Sequence, residues 1–323
     1  MCTAISVTVK DNYFGRNLDY EHTFGEKITI TPRKFRFKFR NGREIDNHYA
    51  MIGMALPKNN YPLYFDASNE KGLSMAGLNF PENTYYQHSI EGCDNVASFE
   101  FIPWILSQCG SVAEAEWLIS QINLTDEAFD KDVAPSPLHW LIADKERSIT
   151  VEQTKGGMKI YDNPAGVLTN NPTFDIQLFN LNNYLSVSAG EPENLFSKKI
   201  NLTPYSRGMG GIGLPGDLSS MSRFVRACFT KLNSVYGESE KDIISQFFHI
   251  LYSVYQQKGC ARVNDRYEIT NYTSCCNTNK GIYYYTTYNN VSINAVDMYR
   301  EDLNRGDIIT YELIKNDKIH IQN

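Results

Sequence analysis

The order of hydrophobic periodicities constrains this chain's fold more than any single motif, because strand-like and helix-like segments come in blocks and do not alternate. Apolar and β-branched residues with a period of two mark Thr3 to Val9, Ile28 to Thr31, Phe35 to Phe39 and Ala50 to Met54 as strands. Helix-spaced apolar residues follow from Phe99 to Cys109 and from Val112 to Ile122, the second opened by Ser111 as N-cap. Strand patterns return over His139 to Ala143, Ser148 to Gln153 and Met158 to Asp162, with turns at Asp144 to Arg147 and Gly156-Gly157. Helices are predicted over Ser219 to Leu232 and Asp242 to Gln257. Strands are predicted over Gly281 to Tyr288 and Val291 to Met298, around an Asn289-Asn290 hairpin turn, and over Ile308 to Leu313.

Such blocks favour antiparallel sheets covered by helices over a doubly wound parallel sheet. The expected fold is α+β, a four-layer α/β/β/α sandwich of antiparallel sheets, with a second sheet beginning near His139. No linker or internal repeat divides the chain, so residues 2–323 are expected to form one domain, with the polar stretch 188–206 as a long excursion.

With 42% apolar residues in 323, the chain can bury a large core without staples. Its net charge of −6 argues against a nucleic acid or an anionic membrane as partner, since both need a basic surface. No apolar run approaches the roughly 20 residues of a membrane span, and no signal peptide is visible. A cytoplasmic protein is expected. Its seven cysteines read as reduced thiols, and its six scattered histidines and the adjacent Cys275-Cys276 do not make a zinc pattern. We expect no metal and no cofactor.

The start, Met1-Cys2-Thr3, carries chemistry. Initiator Met is removed when the next residue is small, so the mature chain is expected to begin at Cys2. A terminal cysteine holds a thiol nucleophile and, in its own α-amine of pKa about 8, a base for it. The strand that follows would keep that thiol from fraying. Phe14-Gly15-Arg16-Asn17-Leu18-Asp19 places Arg16 and Asp19 on the neighbouring stretch, where Asp19 can orient the amine and Arg16 can favour thiolate. Spacing alone favours a surface salt bridge for this pair.

Gly208, Gly210 and Gly213 match a dinucleotide fingerprint in spacing, but Leu214-Pro215-Gly216-Asp217 continues the loop where a helix is required. His139, inside an apolar strand, reads as a hydrogen-bonded core residue. Nucleophile-elbow, phosphate-loop and zinc-protease motifs are missing, so Cys2 has no strong rival.

These residues resemble a known family. Met1-Cys-Thr-Ala-Ile5, Tyr13-Phe-Gly-Arg-Asn-Leu-Asp19, Asn69 to Pro81, Gly166 to Phe174, Gly213 to Asp217 with Ser222-Arg-Phe224, and Tyr272 to Cys275 run collinearly as in the choloylglycine hydrolases of the N-terminal-nucleophile superfamily, and specifically bacterial bile salt hydrolases. The resemblance implies Cys2 as nucleophile, Asp19 holding its amine, and Arg16 and Arg223 flanking the thiol. It implies an oxyanion hole from the Asn79 backbone N–H and the side-chain amide of Asn170, which Asn171 follows. The implied reaction cleaves glycine- or taurine-conjugated bile salts through a thioester, with the steroid in an apolar pocket lined by Leu18, Phe129, Val133 and Leu138. The 188–206 excursion resembles the segment through which bile salt hydrolases assemble as homotetramers.

Two features depart from the family pattern: Glu127, Asp130, Lys131 and Asp132 charge the pocket loop, and Lys58 stands near a position usually apolar. The nearest competing function is a penicillin V acylase or other N-acyl amide hydrolase on the same fold, against which Asn79 argues. A non-catalytic steroid- or lipid-binding protein would lose Cys2, Asp19 or an oxyanion Asn, and all are present.

Overall fold

The computed structural model describes residues 1–317 and 319–323. Side chains alternate across a strand, and here the alternation feeds two separate hydrophobic clusters. In Met51–Lys58, Ile52 and Met54 enter one cluster while Met51 and Ala55 enter the other. In Leu138–Ala143, Leu141 joins the first and Ile142 the second. A sheet apolar on both faces must be covered on both.

These strands belong to an eight-stranded antiparallel sheet, in the order Gly157–Asp162, Ser148–Thr154, Leu138–Ala143, Ser74–Asn79, Tyr61–Asn69, Met51–Lys58, Lys27–Thr31 and Ile309–Tyr311. Helices α1 (Phe101–Gln108) and α2 (Val112–Ile119) cover one face through Trp104, Ile105 and Ala115. Ser111 caps α2 by accepting from Glu114 N at 3.3 Å, as its sequence position predicts.

The other face packs on a six-stranded antiparallel sheet, in the order Val167–Leu168, Cys2–Thr8, Asn12–Tyr20, Ile269–Asn277, Ile282–Thr287 and Asn290–Asp297. The short helix α3 (Phe174–Asn180) follows its edge strand, and α4 (Ser220–Asn233) and α5 (Glu240–Tyr252) pack on the terminal strand and on Ile269–Asn277 through Phe224, Ala227, Phe247 and Leu251. The expected α/β/β/α layering is what forms. Ser239 and Asp242 make a capping box at the start of α5.

Sheet membership differs from the sequence expectation. Leu138–Ala143 does not start a second sheet, because Leu138 to Ala143 pair with Asn79 to Ser74 in the sheet already begun. The second sheet joins the two ends of the chain, with Asn12–Tyr20 paired to Ile269–Asn277. Of Phe35 to Phe39 only Phe37–Lys38 is strand, although all three phenylalanines are buried. The tight Asn-Asn turn lies at Asn59-Asn60, where φ of 52° and 57° supplies the two left-handed residues of a two-residue hairpin. At the later hairpin Thr287 pairs directly with Asn290. Residues 188–206 contain no helix or strand and expose Leu195, Phe196 and Tyr205. Among the described residues no helix is long and apolar enough to cross a membrane.

Candidate active site

Cys2 begins the terminal strand and pairs with Leu18, which sets Asp19 immediately beyond it and Arg16 two residues before. Gly15 makes this strand possible: a Cβ there would meet Ser274 O at 2.0 Å, so only glycine lets Arg16 N reach Ser274 Oγ at 3.1 Å. Arg16, Asn17 and Asp19 are all fully buried.

Arg16 bridges the sheets. The strands Tyr61–Asn69 and Ser74–Asn79 stay paired only to Asp66 and Ala76, and a bulge against Met54/Ala55 turns the chain at Phe65. Into the opening goes the Arg16 guanidinium, whose Nη1 donates to Phe65 O at 3.1 Å and to Gly77 O at 2.5 Å. Burial acts to lower the Arg16 pKa, but Cys2, Tyr272, Asp66 and Asp19 together hold it above its ordinary value. Asp66 receives Tyr272 at 2.7 Å and Tyr283 at 2.6 Å, which closes the sheets together.

Asn170 is the hub. Its Oδ1 accepts from Cys2 N at 2.8 Å and from Arg223 Nη2 at 2.7 Å, and its Nδ2 donates to Asn79 O at 2.6 Å. In a strand the N–H and C=O of one residue point to the same side, so the Asn79 N–H and the Asn170 amide face one region beside Cys2. The neighbouring Asn171 spends its amide on Pro81 O at 2.6 Å, which puts Asn170 and not Asn171 between Cys2 and Asn79. Arg223, fully buried on α4, also donates to Cys2 O and to Thr3 Oγ1 at 2.8 Å.

Asp19 Oδ1 accepts from Thr270 Oγ1 at 2.6 Å, and Oδ2 from Gln256 Nε2 at 3.4 Å. Burial raises the Asp19 pKa, opposed chiefly by Arg223 and the chain terminus. The Met1 ammonium donates to Asp19 O at 2.7 Å and pairs with Glu268. Burial lowers its pKa, against Cys2 and Asp19.

Cys2 and Arg16 open on a cavity of about 380 Å³, the size of a small-molecule site. Leu18, Val133 and Leu138 line it, together with Leu56, Leu63 and Phe65. Phe129 is not in the lining; it packs behind the lining residue Phe99, with ring centroids 5.2 Å apart. The charges of the 127–133 loop turn to neighbours: Asp130 pairs with Lys58 at 2.7 Å, and Glu127 with Arg40 at 3.6 Å. Asp132 does reach the cavity.

A family model described as linear amide C–N hydrolases, choloylglycine hydrolase family, matches residues 2–311. The chain belongs to this family. The bile salt hydrolase/transferase of Lactiplantibacillus plantarum is 55% identical over 314 residues, 97% of each chain, and that of Clostridium perfringens 39% identical over 98% of each. A crystal structure of a mutant conjugated bile acid hydrolase from Clostridium perfringens matches with a TM-score of 0.92 at 38% identity, covering both chains completely. Penicillin V acylase from Agrobacterium tumefaciens shares the fold, with a TM-score of 0.76 at 20% identity over 97% of this chain and 91% of its own. The choloylglycine hydrolase fold thus accounts for the whole layered architecture, and the chain is a linear amide C–N hydrolase.

Sequence reasoning did not find Thr270, Gln256 or Glu268, which surround Asp19 and the terminus from 237 or more residues away. No local signal marks them. Gly77 was findable, since glycine inside a strand signals close approach of another group. Here its carbonyl holds Arg16, and a Cβ would stand 3.1 Å from Trp140 Nε1.

Proposed function

We propose that this choloylglycine hydrolase cleaves the amide bond of glycine- and taurine-conjugated bile salts, with the Cys2 thiol as nucleophile after loss of Met1. The observation that carries the reading is the juxtaposition of Cys2 with the Asn79 edge and the Asn170 amide at the head of an apolar cavity. The names of the relatives from Lactiplantibacillus plantarum and Clostridium perfringens support the same substrate class.

The α-amine of Cys2, in its neutral form, takes the thiol proton. The thiolate attacks the amide carbonyl, and the negative oxygen is met by Asn79 N–H and Asn170 Nδ2; fixed donors of this kind are worth about 3 kcal/mol each. The amine returns the proton to the departing glycine or taurine, leaving a thioester. Water, deprotonated by the same amine, then releases the bile acid. Asp19 orients the amine, and Arg16 and Arg223 stabilise the thiolate. The steroid occupies the cavity along Leu18, Val133 and Leu138, with Phe129 supporting Phe99. We further propose a cytoplasmic homotetramer that uses the exposed apolar residues of 188–206 for assembly.

The test is to incubate purified protein and Cys2→Ala with glycocholate, taurocholate and penicillin V, and to measure intact mass in parallel. Active protein should lack Met1, cleave both bile salts, and lose all turnover in Cys2→Ala. Active protein that retains Met1 would sink the mechanism. A kcat/KM for penicillin V higher by about tenfold, or about 1.4 kcal/mol in transition-state binding, would make it an acylase instead.

A further inference from the structure

His139 is fully buried and is absent from the cavity lining, yet it joins the two segments that carry Asn79 and Asn170. Its Nε2 lies 2.9 Å from Thr169 O, the residue before Asn170. Its ring stacks on Phe80, the residue after Asn79, with centroids 4.2 Å apart and planes 6° from parallel. Its Nδ1 lies 3.2 Å from Glu152 Oε1, which also accepts Phe174 N at 2.9 Å.

The protons follow from these partners. A carbonyl oxygen only accepts, so Nε2 must carry a hydrogen toward Thr169. Nδ1 then faces Glu152 Oε1, so the ring has a single orientation that meets both partners. A hydrophobic residue at this place could pack on Phe80 but would leave Thr169 O without the ring nitrogen.

We propose that His139 is a positioning residue, set by Glu152, that holds the Asn79 and Asn170 segments in register so that their donors converge on one point. The proposal rests on the reading of Asn79 and Asn170 as the oxyanion donors. Two other groups fix the Asn170 backbone, Ser220 Oγ at its N–H and Gln177 Nε2 at its carbonyl, but both lie on its own side of the site. His139 alone among these also touches the Asn79 side, and Asn170 Nδ2 reaches Asn79 O across the junction it holds.

The experiment compares His139→Ala, His139→Gln, Phe80→Leu and Asn170→Ala for kcat and KM on glycocholate, and for the rate at which iodoacetamide alkylates Cys2, followed by peptide mass. Alkylation uses the thiolate but develops no oxyanion. His139→Ala should lower kcat by about tenfold or more, the scale of a misplaced catalytic group, with KM and Cys2 alkylation changed by about twofold or less. His139→Gln, whose amide nitrogen can stand where Nε2 does, should recover most of that loss. If His139→Ala does not fold, Phe80→Leu carries the test, because it removes the stack and leaves the Thr169 hydrogen bond. A folded His139→Ala with kcat near the parent, or a loss matched by Cys2 alkylation, overturns the proposal; so does Phe80→Leu at parent kcat where His139→Ala cannot be made. Asn170→Ala at parent kcat sinks the oxyanion reading and this proposal with it, whereas an impaired Asn170→Ala beside an unimpaired His139→Ala sinks this proposal alone.

Discussion

Two groups of charged residues flank the same cavity and are built in opposite ways. Around Cys2, Arg16, Asp19 and Arg223 are fully buried, and each is held by partners from distant elements. At the rim, Lys58, Asp130 and Asp132 retain 28%, 25% and 66% side-chain exposure and pair mainly with one another. Removing one member of a buried charge network strands the rest and typically costs about 3–5 kcal/mol, while exposed pairs contribute about 0–1 kcal/mol. The inner group therefore defines a geometry, and the outer group closes a surface loop over an apolar cavity.

The largest effect that sharpens this contrast is expected from Asn170→Ala. It removes an amide shared by Cys2, Arg223 and Asn79, and kcat for glycocholate should fall by about a hundredfold with KM little changed. A loss of less than about threefold, or one confined to KM, would break the contrast by making the inner network structural only.

Glu100 stands between the two extremes. It is 1% exposed and accepts Arg40 N and Ala97 N, under the rim that Arg40 also holds through Phe129 O. Burial pushes its carboxyl up to about 7 from an ordinary 4.5. The folded state thus holds this proton more tightly than the unfolded chain does. Its stabilising contribution is complete below pH 4.5 and is lost as pH rises through about 7. Urea unfolding should show Glu100→Gln without that part of the pH dependence, at most roughly 3 kcal/mol across the window, whatever the variant's stability at low pH. An unchanged pH slope would assign the dependence to other groups.

The smallest effect is expected at the rim. Lys58→Ala breaks the contacts to Asp130 and Asp132, and the melting temperature should shift by about 2 °C or less, as for other exposed pairs. Its kcat/KM for glycocholate should stay within about threefold of the parent. A larger change in either measurement would mean that the loop is positioned by its charges and not by Val133 and Leu138 on the cavity.

Legibility in the sequence tracked how far apart the interacting residues lie and how plainly a strand alternates. Ala50 to Met54, in the first half of Met51–Lys58, and Ser148 to Gln153 were readable because apolar side chains recur with strand spacing. Asn12–Tyr20 was not read as a strand, because it buries Asn12, Arg16, Asn17 and Asp19 and so shows no polar face. The pattern fails where the chemistry is concentrated, since burying polar groups there serves the site and costs the simple alternation. His139 was read as a hydrogen-bonded core residue, which its contacts to Glu152 and Thr169 bear out, but its place between two candidate donor segments was invisible.

By itself the sequence determined the main helices and several strands, their grouping into blocks and hence the α+β class, together with a small residue after Met1 and a cysteine on a strand. It did not mark Asn12–Tyr20, Tyr61–Asn69, Ser74–Asn79 or Ile269–Asn277. Helix and strand periods, caps and turns are local properties, and a linear chain displays them directly. The tertiary structure alone decided which strands pair, and so which residues meet Asp19 and Asn170. Thr270 reaches Asp19 across 251 positions, and Arg223 reaches Asn170 across 53. β-Pairing satisfies backbone groups that are the same in every residue, so the partner is chosen by the packing of whole sheets and not by anything written in the strand itself.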